Sequence, residues 1–221
     1  MKKVQQSRAR IHSVYNRFVK RFFDIMLSGA ALLILWPFIV LIALIIKITD
    51  PGPVLFTQKR VGIKKNGELT YFPIYKFRTM KTSTPKDIPT HLLKNPEQWI
   101  TGIGKILRKT SMDELPQIWN IFKGDMSIVG PRPALWNQYD LIEERDKYGA
   151  NDVLPGLTGW AQINGRDELP INVKAKMDGD YVANLGLLFD IKCFLLTIAS
   201  VLRSDGVVEG CTGVKEKTEE L

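Results

Sequence analysis

Cysteine is scarce in this sequence. Cys193 and Cys211 are the only two, and neither belongs to a partner motif. Two isolated cysteines exclude a disulfide framework and a zinc site of the usual spacing. A chain without structural disulfides is typical of a reducing compartment, so we expect the protein to face the cytosol.

Acidic residues are also in short supply. Asp and Glu total 23 against 31 Lys and Arg, which gives a net charge of +8. Such an excess favours an anionic partner, whether a nucleic acid, an anionic lipid surface or a nucleotide substrate. A length of 221 residues predicts one domain with a sizeable core.

Residues 25–46 lack charge altogether. This run meets the length of about 20 apolar residues that a membrane helix needs. No small-residue cleavage site follows it, which argues against a secretory signal peptide. Trp36 and Pro37 lie near its middle, where a proline removes a backbone hydrogen bond and bends the helix.

Basic residues flank the apolar run on both sides. Lys20 and Arg21 precede it and Lys47 follows it. Because cytoplasmic flanks carry the excess of Lys and Arg, both ends are predicted to lie in the cytoplasm. A kinked helix over residues 22–48 that re-enters the same face satisfies this. The alternative is an ordinary span with a tolerated proline.

The segments on either side complete the predicted organisation. Residues 1–21 are basic, with apolar residues near helical spacing, and predict either an amphipathic helix on an anionic leaflet or a disordered tail. Residues 49–207 are predicted to form a cytosolic catalytic domain. Residues 208–221 are predicted to be a weakly ordered tail.

A β-hairpin is predicted after the membrane helix. Residues 54–58 and 71–80 have strand character, and Asn66-Gly67 has the chemistry of a hairpin turn. Four basic side chains are expected to form one cationic face: Lys59, Arg60, Lys76 and Arg78. That face either meets substrate phosphates or is an ordinary solvated strand face.

Apolar stripes at helical spacing follow. Residues 99–107 and 118–122 combine aromatic and aliphatic residues with nearby lysines and arginines. Helices of this kind lie in the lipid headgroup layer, and packing against the protein's own core is the alternative. Residues 185–202, interrupted by Asp190 and Lys192, predict another interfacial or core helix.

Two adjacent carboxylates, Asp113 and Glu114, lie between cationic residues. Ser111 and Glu114 fit a capping box, which predicts a helix that begins at Ser111 or, because of Pro116, at Asp113. At the positive end of a helix a carboxylate stays ionised and a phosphate can bind. The alternative is that both acids are only helix-capping charges.

This arrangement suits chemistry on a phosphate. An ionised Asp can attack phosphorus directly, and Mg²⁺ binds through one or two carboxylates plus substrate phosphates. Asp113 and Glu114 are therefore candidate catalytic residues and candidate metal ligands. Arg108 and Arg132 are candidates for a bidentate phosphate clamp. A surface charge in a proline-rich turn is the alternative for Arg132.

At these residues the sequence resembles the bacterial sugar transferases, the monotopic polyprenyl-phosphate phosphoglycosyl transferases. The resemblance runs from about Lys20 to Val207. Its motifs are Arg108, Asp-Glu-Leu-Pro-Gln at 113–117, Lys-Gly-Asp-Met-Ser at 123–127, Val-Gly-Pro-Arg-Pro at 129–133 and Pro-Gly-Leu-Thr-Gly-Trp-Ala-Gln-Ile-Asn-Gly-Arg at 155–166.

The resemblance implies a mostly helical α/β enzyme of the bacterial inner membrane, with a re-entrant helix and a cytoplasmic catalytic domain. It implies transfer of a hexose-1-phosphate from a UDP-sugar to polyprenyl phosphate with release of UMP. Asp113 would be the nucleophile, and Glu114 would help to position Mg²⁺. Lipids, rather than a nucleic acid, are the other implied partners.

Further site residues follow from the resemblance. Lys59 and Arg78 belong to the segment that resembles the family's substrate side. Arg166 is a candidate for the nucleotide end of the substrate. Asp178 is a candidate for the polar shell around the site, although a capping role is equally compatible. The family breaks its membrane helix at a Ser-Pro pair, and Trp36 departs from that pattern.

Two other functions remain open from the sequence. A membrane-attached glycosyltransferase would move the sugar without its phosphate and release UDP. A non-enzymatic adaptor would use the positive charge to bind anionic lipid or nucleic acid.

Overall fold

The computed structural model describes residues 14–84, 96–165 and 169–202. Arg166, most of the basic N-terminal segment and the predicted tail from residue 208 lie outside these residues. The described chain mixes helices with small sheets, as predicted, and has one long apolar helix at its N-terminal end.

This long helix, α1, spans Lys20–Thr49 and continues a short π-helical turn at Tyr15–Val19. By length and composition it is able to cross a membrane. Pro37 lies inside the helix, which continues without interruption on both sides. The re-entrant path predicted for Trp36 and Pro37 therefore stays a prediction.

Helix α1 packs on the rest of the protein through one narrow stripe. The buried side chains recur at helical spacing: Lys20, Asp24, Ser28, Ile42 and Ile46. The other sides are apolar and exposed, with Leu33 at 78% and Trp36 at 60% exposure. Helix α1 thus combines a stripe that packs on the rest of the protein with a surface that suits lipid.

The predicted hairpin is confirmed. Strand β1 (Leu55–Lys65) pairs antiparallel with β2 (Glu68–Phe77). Asn66 and Gly67 connect them with φ angles of 53° and 85°, which is the left-handed pair that a two-residue turn requires. The strands are longer than predicted because the pairing continues nearly to this turn.

The pairing register disproves the single cationic face. Lys59 is opposite Pro73, whereas Lys76 is opposite Phe56. Since side chains alternate between the faces of a strand, Lys59 and Lys76 point to opposite sides of the hairpin. Lys59 is exposed, and Lys76 faces the protein. A shift of the pairing register by one residue would place Lys59 and Lys76 on the same face, and the turn determines which register forms.

The chain continues through α2 (Gly102–Lys109), a 3₁₀ turn (Met112–Glu114) and α3 (Gln117–Lys123), with an earlier 3₁₀ turn at Pro96–Trp99. Strand β3 (Ser127–Val129) then pairs in parallel with β4 (Gly156–Thr158). Between them lie α4 (Tyr139–Asp146) and a 3₁₀ turn at Ala150–Asp152. Helices α5 (Trp160–Ile163), α6 (Ile171–Ala183) and α7 (Leu187–Leu202) complete the described chain.

The β3–β4 pair lies at the core. Val129, Val153, Tyr181, Val182 and Cys193 belong to one buried cluster around it. A second feature is the close contact of two backbones: a Cβ atom on Gly130 would lie 2.5 Å from the Leu154 carbonyl oxygen. The loop after β3 is therefore held against the start of β4.

Asn120 anchors α3 to the hairpin. Its Nδ2 donates to the Pro73 carbonyl at 2.8 Å, and its Oδ1 accepts from the Tyr75 N–H at 3.0 Å. Nδ2 also lies 3.0 Å from Asp125 Oδ2. The side chain is fully buried, so these polar groups of β2 depend on it for hydrogen bonds.

We therefore expect Asn120→Ala to lower the free energy of unfolding by about 1–3 kcal/mol, because buried polar groups lose their partners. Thermal unfolding of the purified protein in detergent measures this. Asn184→Ala is the matched control, since its amide donates to Asp180 at an exposed site. Equal effects of the two substitutions would contradict the anchoring role.

Candidate active site

Asp113 and Glu114 lie on the 3₁₀ turn that precedes α3, not inside the helix that the capping box predicts. The α-helix start predicted at Ser111 or at Asp113 is therefore wrong: Ser111 has a left-handed φ of 56° and makes no side-chain cap, and Asp113 lies within the 3₁₀ turn, whereas an N-cap residue is normally extended. Helix α3 begins after Pro116, whose missing N–H fits a helix start.

Glu114 is held between two cations from distant parts of the chain. Its Oε1 lies 2.7 Å from Lys76 Nζ on β2 and 3.2 Å from Arg132 Nη2 in the loop after β3. The Glu114 side chain is 17% exposed, so water screens these pairs only partly. The three residues form a largely enclosed cluster with a net positive charge.

The cluster keeps Glu114 ionised. Burial alone would raise the pKa of its carboxyl, but the charges and hydrogen bonds of Lys76 and Arg132 outweigh burial and hold the pKa well below its usual value. The carboxylate therefore persists through the neutral range and well into acid. It is an acceptor and a possible metal ligand, not a proton donor, at neutral pH.

Asp113 is the more enclosed carboxylate, with 5% of its surface exposed. It lies on the same turn as Glu114. Arg108, at the end of α2, donates from Nε to Thr79 Oγ1 at 2.9 Å and so points toward the end of β2. The turn, α2 and β2 thus meet where the sequence predicts the phosphate chemistry.

The loop that carries Arg132 is fixed from two sides. Pro131 and Pro133 each lock a backbone φ angle. Arg60 on β1 donates to the Pro133 carbonyl at 3.0 Å, and the Val61 N–H donates to the Ala134 carbonyl at 2.9 Å. The hairpin therefore positions both cations that contact Glu114.

Two predicted substrate contacts, Arg78 and Asp178, lie in other surroundings. Arg78 is buried, donates to the backbone carbonyl of Asp50 and pairs with its carboxylate, so it closes the C-terminal end of α1. Asp178 pairs with Arg145 at 2.6 Å between α6 and α4, with both side chains almost fully buried. Their contact with substrate stays a prediction, and their visible role is structural.

Lys59 lies on the outer face of the hairpin. Its Nζ is 4.4 Å from the Tyr71 ring centroid and 5.6 Å from that of Trp136. Lys76, by contrast, is the cation that faces Glu114, which the sequence prediction did not single out. The alternation of side chains along β2 was the signal available in the sequence. It identifies the lysine that faces the protein only when the pairing register with β1 is known.

The residues present fit a Mg²⁺ ion. This metal usually binds through one or two carboxylates plus substrate phosphates, and Asp113 and Glu114 supply two adjacent carboxylates on one turn. Among the described residues no group of three or more His, Cys, Asp or Glu is arranged to hold a metal. A site here would therefore be completed by the substrate.

Comparison with known proteins identifies similar sequences. The model of the family "Bacterial sugar transferase" matches residues 15–204. The uncharacterized sugar transferase EpsL of Bacillus subtilis is 38% identical over 191 residues, which cover 86% of this chain and 90% of that protein.

Two similar proteins have names that state an activity. The undecaprenyl-phosphate galactose phosphotransferase of Salmonella typhimurium is 38% identical over 207 residues, 86% of this chain and 42% of its own length. The UDP-glucose:undecaprenyl-phosphate glucose-1-phosphate transferase of Escherichia coli is 39% identical over 191 residues, 83% of this chain and 40% of its own length. The chain thus spans less than half of either protein.

The cluster predicts a specific pH dependence of stability. In Lys76→Met, Glu114 keeps only Arg132 as a partner, so burial raises its folded-state pKa. We expect a loss of stability at pH 7, because the folded state then disfavours the charged carboxylate. As pH falls below the raised Glu114 pKa of the variant, the difference in the free energy of unfolding between variant and wild type should become smaller. It should disappear only near the depressed Glu114 pKa of the wild type.

Thermal unfolding between neutral pH and pH 3 measures this difference. Lys64→Met is the matched control on the same hairpin, because Lys64 forms a more exposed pair with Asp146, which is worth little. A pH-independent difference between Lys76→Met and wild type would show that Glu114 ionisation is not the cause.

Proposed function

The chain belongs to the bacterial sugar transferase family, and on that premise we propose that it transfers a hexose-1-phosphate from a UDP-sugar to polyprenyl phosphate. The names of two relatives state undecaprenyl phosphate as the acceptor and galactose or glucose as the sugar. They support a phosphotransferase of membrane polysaccharide synthesis, with undecaprenyl phosphate and a nucleotide-linked sugar as partners.

The observation that carries the proposal is the Lys76–Glu114–Arg132 cluster beside the buried Asp113. A carboxylate that attacks a diphosphate must approach a group of its own charge. Cations must therefore offset the repulsion and the charge that develops on phosphate oxygens. Arg108 and Arg132 are the guanidinium groups that we assign to this role.

The proposed reaction has two displacement steps. An oxygen of Asp113 attacks the β-phosphorus of the UDP-sugar, the bond to the bridging oxygen breaks, and UMP leaves with the bonding electrons. The phosphosugar is then bound to Asp113 as an acyl phosphate. A phosphate oxygen of the polyprenyl phosphate attacks the same phosphorus and regenerates the carboxylate.

Asp113 and Glu114 are the residues that would hold Mg²⁺. The ion, when bound, supplies positive charge to the phosphate oxygens. Glu114 also orients Lys76 and Arg132 toward the turn, since both cations contact one of its oxygens. The partial burial of this cluster strengthens its electrostatic effect relative to an exposed site.

The way α1 packs supports a helix that enters and leaves the membrane on one face. Near its start, Arg21 donates to the carbonyls of Ile121 and Phe122 at 2.6 and 2.7 Å. Near its end, Ile46 is buried against Phe77 in one cluster. A helix that crossed the bilayer would place these two ends on opposite sides, and a domain on one side would not contact both.

Further apolar surfaces support contact with the headgroup layer. Ile106 on α2 and Trp119 on α3 are 58% and 48% exposed, although the opposite sides of these helices are buried. Leu188 and Leu195 on α7 are likewise exposed, at 83% and 58%. We assign these surfaces to the headgroup layer of the cytoplasmic leaflet of the inner membrane.

The first test is Asp113→Asn, which removes the proposed nucleophile with little change in shape. We expect no detectable turnover of a UDP-sugar with undecaprenyl phosphate, and UMP as the nucleotide that wild type releases. Asp180→Asn is the control, because Asp180 is an exposed carboxylate on α6. Release of UDP instead would show that the sugar moves without its phosphate.

The second test uses the donor alone. Rapid quenching and mass spectrometry of the peptide that contains Asp113 should show the added mass of a hexose phosphate in wild type and none in Asp113→Asn. Because the intermediate is an acyl phosphate, hydroxylamine should remove the added mass. Turnover of the full reaction without any such adduct would rule out the covalent route.

The third test concerns the path of α1. Arg17→Cys and Lys47→Cys, each in a background with Cys193→Ser and Cys211→Ser, place one thiol near each end of the helix. A membrane-impermeant maleimide should label both from the cytoplasmic side of membrane vesicles. Lys65→Cys in the exposed hairpin marks the side of the catalytic domain. Labelling of the two ends from opposite sides would mean that α1 spans.

A further inference from the structure

A buried polar network joins the first and last described helices. Asp190 on α7 accepts hydrogen bonds at Oδ2 from Lys20 Nζ and from the Tyr15 hydroxyl, both at 2.5 Å. Its other oxygen, Oδ1, accepts from the Tyr181 hydroxyl on α6 at 2.8 Å. Lys20, Tyr181 and Asp190 are all less than 10% exposed. The network therefore lies inside the protein and shares no residue with the Glu114 cluster.

Tyr181 extends this network to the backbone of β3. Its hydroxyl also lies 3.1 Å from the Val129 carbonyl oxygen, so one proton is shared between two acceptors. Burial, and then the charge of Asp190, raise the pKa of Tyr181 well above its usual value. The hydroxyl therefore stays protonated and remains a donor at any pH at which the enzyme works.

Val129 is the last residue of β3, and Gly130, Pro131 and Arg132 follow it directly. The start of this loop is pinned by backbone bonds from Gly130 to the Thr158 carbonyl and from Gly156 to the Pro131 carbonyl, at 2.8 and 2.9 Å. Tyr181 adds a side-chain bond immediately upstream. The direction in which the chain leaves β3 toward Arg132 thus depends on the Val129 carbonyl, to which Tyr181 donates.

A hydroxyl is not needed for packing here. The Tyr181 ring lies in the cluster of Val129, Val182 and Cys193, next to Phe189 at a centroid distance of 6.1 Å. A phenylalanine ring would fill the same space, and a buried hydroxyl is costly unless it is bonded. The polar atom is therefore explained by its two bonds.

We propose that Tyr181 is a positioning residue that orients the Arg132 loop through the Val129 carbonyl, with Asp190 setting the direction of its hydroxyl. The proposal rests on the proposed function, in which Arg132 offsets phosphate charge. Tyr181 restrains the loop before Arg132, at the Val129 carbonyl, and the hairpin restrains it after Arg132, at the Pro133 and Ala134 carbonyls. Tyr181 itself touches neither substrate nor the reacting atoms.

Tyr181→Phe in the full chain tests this. It removes the shared hydrogen bonds and keeps the ring. If Arg132 acts mainly on the transition state, kcat should fall roughly tenfold while KM for the UDP-sugar stays within about twofold, since a small displacement of a charge-stabilising group lowers the rate. Tyr15→Phe is the matched control, because it removes a hydroxyl from the same carboxylate at Oδ2. It should leave kcat within about twofold.

A double-mutant cycle separates positioning from general stability. If Tyr181 acts through Arg132, then Tyr181→Phe should have little further effect on kcat in an Arg132→Lys background. A structural role alone would lower the rate by the same factor in both backgrounds. Hydrogen–deuterium exchange gives a readout without activity: exchange over residues 127–133 should rise in Tyr181→Phe and not in Tyr15→Phe.

The outcomes are distinguishable. A wild-type enzyme that releases no UMP would contradict the proposed function, and the exchange measurement would still decide the positioning of the loop. A Tyr181→Phe variant with unchanged kcat, or with unchanged exchange over residues 127–133, would overturn the inference and leave the proposed function intact. An equal fold loss of kcat in the wild-type and Arg132→Lys backgrounds would also overturn it.

Discussion

A carboxylate that is largely withdrawn from water stays ionised only when opposite charge or hydrogen bonds compensate for its lost hydration, and this constraint organises the site. Glu114 satisfies it only when Lys76 of the hairpin and Arg132 of the loop after β3 are both in place. Neither cation is near Glu114 in sequence. The pairings therefore fix three separate segments relative to each other and leave Asp113 on the turn where they meet.

Much of the architecture could be predicted because its causes are local. The hairpin follows from two residues, Asn66 and Gly67, which adopt positive φ at low cost. The long apolar helix follows from the absence of charge in residues 25–46. The sequence also shows directly that Asp113 and Glu114 are adjacent and that Arg132 lies between two prolines. The boundaries predicted at residues 22, 49 and 208 remain predictions.

The rest depended on contacts between distant residues. Ser111 looked like a helix cap, but the left-handed backbone there moves the helix start to the far side of Pro116. Lys59 and Lys76 looked equivalent until the register placed them on opposite faces. Arg78 was predicted from the resemblance as a substrate contact, which stays a prediction, and its contacts with Asp50 at the end of α1 could not be foreseen. No local pattern contains this information, because burial is a property of the folded chain.

The ion pair between Lys20 and Asp190 has a consequence for biosynthesis, because 170 residues separate its members. At about 5–20 residues per second, the ribosome makes Lys20 about 9 to 34 seconds before its partner. Other partners of α1 are made earlier in that interval, since Phe77 packs with Ile46 and Ile121 accepts a hydrogen bond from Arg21. The pair with Asp190 is therefore the last of these contacts to become available, and it joins α1 to the last described helix after the middle of the chain has been made.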